Sequence, residues 1–194
     1  MPRVMLVDDE PNVLSSLRRA INTMPPQLFG GQLVIETFDD PQHALERAGE
    51  CAFDLVISDF RMPDLDGVQF LTQLIEIQPR IARIMLSGYA DLKALVAAIN
   101  EVQVFRFVAK PWSNFELGAA MAQALESSRL LTENQRLADL VRLQDGRISA
   151  QELELQAWER ACPGLTRVDR GADGSVNLDW DDDSASSSTV SREH

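Results

Sequence analysis

The stretch VISDFRMPDLDG, residues 56–67, runs apolar for the length of a strand, meets an acid at Asp59, and breaks into a turn of proline, glycine and two further acids. A buried strand that ends in a carboxylate at a turn sets that carboxylate where the sheet meets solvent. Open α/β sheets place their ligand sites at such edges. The stretch therefore predicts both a strand and a site.

Working outward, the chain alternates between short β-rich runs and amphipathic stretches. The strand candidates are RVMLV (3–7), LVIETF (33–38), DLVIS (54–58), RIMLS (83–87) and FRFVA (105–109). Helical spacing is found at 12–23, 41–49, 68–78 and 91–100, and again from Ser113. Five such βα units imply a parallel sheet with helices on both faces. Local signals agree: Asp40 before Pro41 is an N-cap followed by proline at the first helical position, and SNFE (113–116) is a capping box.

Composition narrows the classes. With 194 residues, 45% hydrophobic and 25% charged, the chain has the make-up of a globular protein with one domain and an appendage. No apolar run approaches the roughly 20 residues that span a bilayer, and the start is too short in apolar residues for a secretory leader, so a cytoplasmic protein with no membrane contact is expected. Cys51 and Cys162 lie far apart with no metal-type spacing, which argues against a disulfide framework and a zinc site. A net charge of −12 disfavours nucleic acid as a partner. Only two lysines occur, Lys93 and Lys110, and Lys110 stands inside the apolar segment VFRFVAKPW.

If the strands are parallel, Asp8 and Asp9 after the first, Asp59 after the third, Ser87 after the fourth and Lys110 after the fifth share one carboxyl edge. Clustered carboxylates repel, and a hard divalent cation relieves them; Mg²⁺ suits a site with few protein ligands. Taken singly, Asp8 reads as a helix cap, Lys110 as a lysine at the core's edge and Phe107 as core. Taken together, those readings leave the clustering unexplained.

The motifs VDDE (7–10), SDFRMPDLDG (58–67), LSGYAD (86–91) and FRFVAKP (105–111) closely resemble the CheY-like receiver domain of two-component response regulators, over residues 3 to about 125. The resemblance implies a flavodoxin-like (βα)5 doubly wound sheet of order 2-1-3-4-5. It implies Asp59 as the phosphoacceptor, loaded by a histidine kinase or phosphotransfer protein. Mg²⁺ would be held by Asp9, Asp59 and the backbone carbonyl of Arg61, with Asp8 acting largely through water. Lys110 would contact a phosphoryl oxygen, Ser87 would follow the phosphoryl group, and Phe107 would be the switch aromatic. Such a protein catalyses no more than its own phosphoryl transfer and loss. Arg61 and Tyr89 are large residues beside the site that would slow the approach of water.

Past residue 125 the pattern changes. Leu130, Asn134, Leu137, Val141, Gln144, Ile148, Gln151, Leu155 and Trp158 alternate four and three apart, a heptad seam predicting a coiled-coil helix over 126–160 and a homodimer through 128–160. Gly146 weakens it. A β-hairpin is expected over 161–181, where Val176, Leu178 and Trp180 alternate, and a disordered acidic and serine-rich tail over 182–194. Residues 113–194 carry 8 Arg and no Lys against 15 Asp and Glu. The output is therefore expected to be an unknown protein partner. The alternatives are control of a separate cyclic-dinucleotide or other enzyme, and a DNA-binding regulator. A metal-dependent phosphatase would need a hydrolytic base near Asp59, and none is found.

Overall fold

In the computed structural model the described residues are 1–88, 104–144 and 149–163. Five strands form one parallel sheet: β1 (Arg3–Val7), β2 (Val34–Phe38), β3 (Leu55–Asp59), β4 (Ala82–Ser87) and β5 (Arg106–Ala109), in the order β2-β1-β3-β4-β5. This is the flavodoxin-like order. Its direction reverses between β1 and β3, so a crevice opens at their carboxyl ends.

Alternation along the strands builds two cores. Val4 and Leu6 of β1, Ile57 of β3 and Leu86 of β4 face one side, under Leu14, Leu17 and Ile21 of α1 (Pro11–Asn22) and Leu117, Ala120 and Met121 of α4 (Asn114–Gln144). Met5 and Val7, Val56 and Met85 face the other. They are covered by Ala44, Leu45 and Ala48 of α2 (Pro41–Glu50) and Phe70, Leu71 and Leu74 of α3 (Gly67–Ile77). Strands covered on both faces read as continuous apolar runs, which is why β3 is buried at every position.

Side-chain caps fix the starts of α2 and α4. The Asp40 side chain accepts from the Gln42 N–H at 2.7 Å, and the Ser113 hydroxyl accepts from the Glu116 N–H at 3.1 Å. A short 3₁₀ turn, Pro26–Phe29, was not anticipated. It ends on Gly30 at φ 75°, a left-handed conformation that glycine adopts without strain, and delivers Phe29 to the core.

The continuous helix expected over 126–160 does not form. α4 ends at Gln144, Ser149 is extended (φ −85°, ψ 160°), and α5 (Ala150–Ala161) starts anew under a capping box between Ser149 and Glu152. α5 turns back along α4, where Arg160 pairs with the buried Asp139, and its last carbonyl, that of Ala161, accepts from the Ala52 N–H at 3.2 Å. An interhelical ion pair and a backbone bond to the sheet's amino edge thus hold α5 in an antiparallel fold-back. The expected helix at 91–100, Tyr89, the hairpin at 161–181 beyond Pro163 and the tail at 182–194 lie outside the described residues.

Candidate functional site

Four of the five strands deliver a side chain to the same edge. β1 runs into Asp8, which is fully buried; β3 ends in Asp59, β4 in Ser87, and β5 runs into Lys110. Two backbone bonds lock these ends side by side, from the Phe60 N–H to the Leu86 carbonyl (2.9 Å) and from the Lys110 N–H to the Ser87 carbonyl (2.8 Å). The positions are set by the sheet.

The Lys110 Nζ lies 2.7 Å from Asp8 Oδ2 and 2.6 Å from Asp59 Oδ1, so one ammonium joins two carboxylates from different strands. The remaining oxygens are also engaged: Asp8 Oδ1 accepts from the Glu10 N–H at 3.0 Å and Asp59 Oδ2 from the Arg61 N–H at 3.0 Å. Burial pushes the Asp8 carboxyl above its ordinary value, while the hydrogen bond from Lys110 pulls it the other way. Burial also works against the Lys110 ammonium, yet its hydrogen bonds to Asp59 and Asp8 prevail and raise its pKa. The lysine is therefore charged across the physiological range.

Asp9 follows Asp8 and is half-buried. Among the described residues no three Asp, Glu, His or Cys side chains form a ready-made metal cage. What the edge offers is an excess of carboxylate over ammonium, Asp8, Asp9 and Asp59 against Lys110, in hard oxygen donors. That donor set suits Mg²⁺, which keeps several waters and asks few ligands of the protein. Ser87 is buried at the end of β4 in register with Ala109. Phe107 is half-buried against the α2/α3 core, one strand position from the buried Val108.

Gly67 was not singled out from the sequence. A Cβ at this position would lie 2.1 Å from the Asp59 carbonyl oxygen, so the first residue of α3 packs directly on the backbone of the site. The Gly67 N–H donates to the Phe60 carbonyl at 3.0 Å, and Asp66 with Gln69 forms a capping box. The spacing of Asp66 and Gln69 was the available signal.

A family model described as the response regulator receiver domain matches residues 4–122. The chain belongs to the response regulator receiver family. Its receiver is similar to the hydrogenase transcriptional regulatory protein HoxA of Cupriavidus necator, at 33% identity over 134 residues that make up 69% of this chain and 26% of HoxA. The chain thus spans about a quarter of the curated relatives it matches. Among solved structures, the signal receiver domain of an HD domain-containing protein from Pseudomonas fluorescens Pf-5 is 32% identical (TM-score 0.61, covering 68% of this chain and 92% of that one). An uncharacterised protein from Neptuniibacter caesariensis is 38% identical (TM-score 0.62, covering 70% and 95%). No helix among the described residues is long and apolar enough to cross a membrane.

Proposed function

We propose that this chain is a cytoplasmic response regulator in which Asp59 accepts a phosphoryl group and the helices after the receiver carry the signal to a protein partner. The observation that carries this reading is the Lys110 ammonium held between Asp8 and Asp59. An Asp59 oxygen attacks phosphorus in line as the bond to a kinase histidine nitrogen, or to the leaving carboxylate of a small acyl phosphate, breaks. Asp59 becomes a mixed anhydride. Lys110 moves its contact from the Asp59 carboxylate to a phosphoryl oxygen, and Ser87 donates to another, drawing Phe107 inward. Asp8, Asp9, Asp59 and the Arg61 carbonyl would hold Mg²⁺, which neutralises the equatorial oxygens when bound.

Incubation of the full chain with acetyl phosphate and Mg²⁺ should label Asp59, and chelation with EDTA should stop it. Asp59→Asn that still incorporates phosphoryl at the wild-type level would overturn the assignment.

HoxA is a transcriptional regulator by name, which favours DNA as a second reading of the output. The charge balance of residues 113–194 argues for a protein instead, since phosphate backbones are bound by clustered Lys and Arg. Control of a separate enzyme is the further alternative. Capture by the phosphorylated chain, with duplex DNA and with candidate enzymes offered in parallel, separates these.

A further inference from the structure

The fold-back of α5 has a consequence for the two cysteines, which sequence spacing keeps apart. The Ala52 N–H donates to the Ala161 carbonyl at 3.2 Å, Cys51 immediately precedes Ala52, and Cys162 immediately follows Ala161. With standard bond lengths on either side of that one hydrogen bond, the two Cα atoms lie within roughly 8 Å of each other. A disulfide usually spans about 4.4 to 6.8 Å between Cα atoms, so a small adjustment of the end of α5 closes the gap. Both cysteines are free and half-exposed, which leaves them within reach of a small reagent. Cys162 ends α5 with non-helical dihedrals (φ −134°, ψ 85°), its N–H still donating to the Trp158 carbonyl at 2.9 Å.

We propose that Cys51 and Cys162 are a disulfide-forming pair that fastens α5 to the amino-terminal edge of the sheet under oxidising conditions. The step is exchange with a low-molecular-weight disulfide. One cysteine thiolate attacks a reagent sulfur, breaking the reagent's S–S bond and releasing a small thiolate that takes up the proton the cysteine lost. The second cysteine, as its thiolate, attacks the mixed disulfide, forming the Cys51–Cys162 bond and releasing a second small thiol. Two protein thiols are oxidised and one reagent disulfide is reduced. Burial holds the Cys51 thiol above its ordinary pKa, so it rests as a thiol and not as an activated thiolate. In a reducing compartment such a pair stays open until the redox balance shifts, which is the behaviour of a sensor. The bridge sits at the opposite edge of the sheet from Asp8, Asp59 and Lys110, so it restrains the output helix without covering the acidic site.

The test uses the full chain, reduced and then exposed at low protein concentration to oxidised glutathione, with tryptic peptides mapped without reduction. The expected product is a monomer two hydrogens lighter, with both thiols lost to alkylation together and one Cys51–Cys162 peptide pair. Cys51→Ser and Cys162→Ser should each yield the glutathione adduct alone. Arg160→Ala, which frees α5 from Asp139, should slow the internal bridge on the order of tenfold by lowering its effective concentration. A monomer carrying two glutathiones with no bridge, chain-to-chain disulfides alone, or an Arg160→Ala rate equal to wild type would each overturn the proposal.

Discussion

At Lys110, one ammonium keeps two carboxylates of different strands within hydrogen-bond reach, and its removal exposes what burial costs Asp8. A carboxyl whose folded pKa is raised binds more protons in the folded than in the unfolded chain. Stability therefore falls as pH rises from the ordinary carboxylate value of about 3.9 through the raised one. Lys110→Met takes away the hydrogen bond that opposes this shift, so the variant should lose about 1–3 kcal/mol at neutral pH and visibly less near pH 5. Urea midpoints at the two pH values check it, and an equal loss at both would mean that Lys110 does not bear on the ionisation of Asp8. Gly67→Ala is a second case at this scale. Its methyl meets the Asp59 carbonyl, so the start of α3 must shift, and phosphorylation of Asp59 should slow several-fold more than Gly49→Ala, where space is open, slows it. The acids and Lys110 were legible because each ends or follows an apolar run. Gly67 was not, because its role depends on a backbone passing close to it in space.

The elements show where periodicity suffices and where it fails. The five strands fall within a residue or so of their apolar runs, and for the central β1, β3 and β4 burial on both faces leaves nothing else for those residues to be. The heptad spacing after residue 125 is a property of the sequence alone. It reports which positions share a face and is silent on whether the helix continues. Ser149 with Glu152 marked a new helix start that the seam overrode. Asp139 explains the fold-back energetically. It is nearly fully buried, and although burial disfavours its charge, bonds from Arg160 and Gln135 more than offset this and lower its pKa. A depressed carboxyl gives stability that is present above the ordinary aspartate value and lost as pH falls through the lower folded one. Asp139→Asn should therefore reduce amide-exchange protection across residues 150–161 at neutral pH and leave β1 and β3 unchanged. The gap from wild type should close below about pH 4. Equal protection in the two proteins at neutral pH would assign the docking of α5 to other contacts.

Across the whole molecule, α5 covers the Asp139 side of α4 and leaves the other side open. Leu130, Leu137 and Val141 remain 51%, 51% and 55% exposed, and Leu155 and Trp158 of α5 are 58% and 59% exposed. Those are five members of the seam that sequence spacing assigned to a paired helix. Their distribution over two antiparallel helices replaces a single extended zipper with two separate apolar patches. The sheet order was legible because a receiver's motifs occur in sequence order at strand ends. The placement of α5 was not, since it rests on Asp139 with Arg160 and on Ala52 with Ala161, pairs too distant in sequence for local pattern to join. The α4 patch is the better candidate for self-association, because its three residues recur four and seven apart on one helix, the spacing of a face that can meet its own copy. Leu130→Ser combined with Leu137→Ser and Val141→Ser should convert a dimer of the full chain to a monomer in sedimentation equilibrium. Asp59 labelling by acetyl phosphate should be unaffected, since no site residue is altered. A wild-type chain that is monomeric at every concentration would instead assign the patch to a different partner, and a triple variant that still dimerises would move the interface to Leu155 and Trp158.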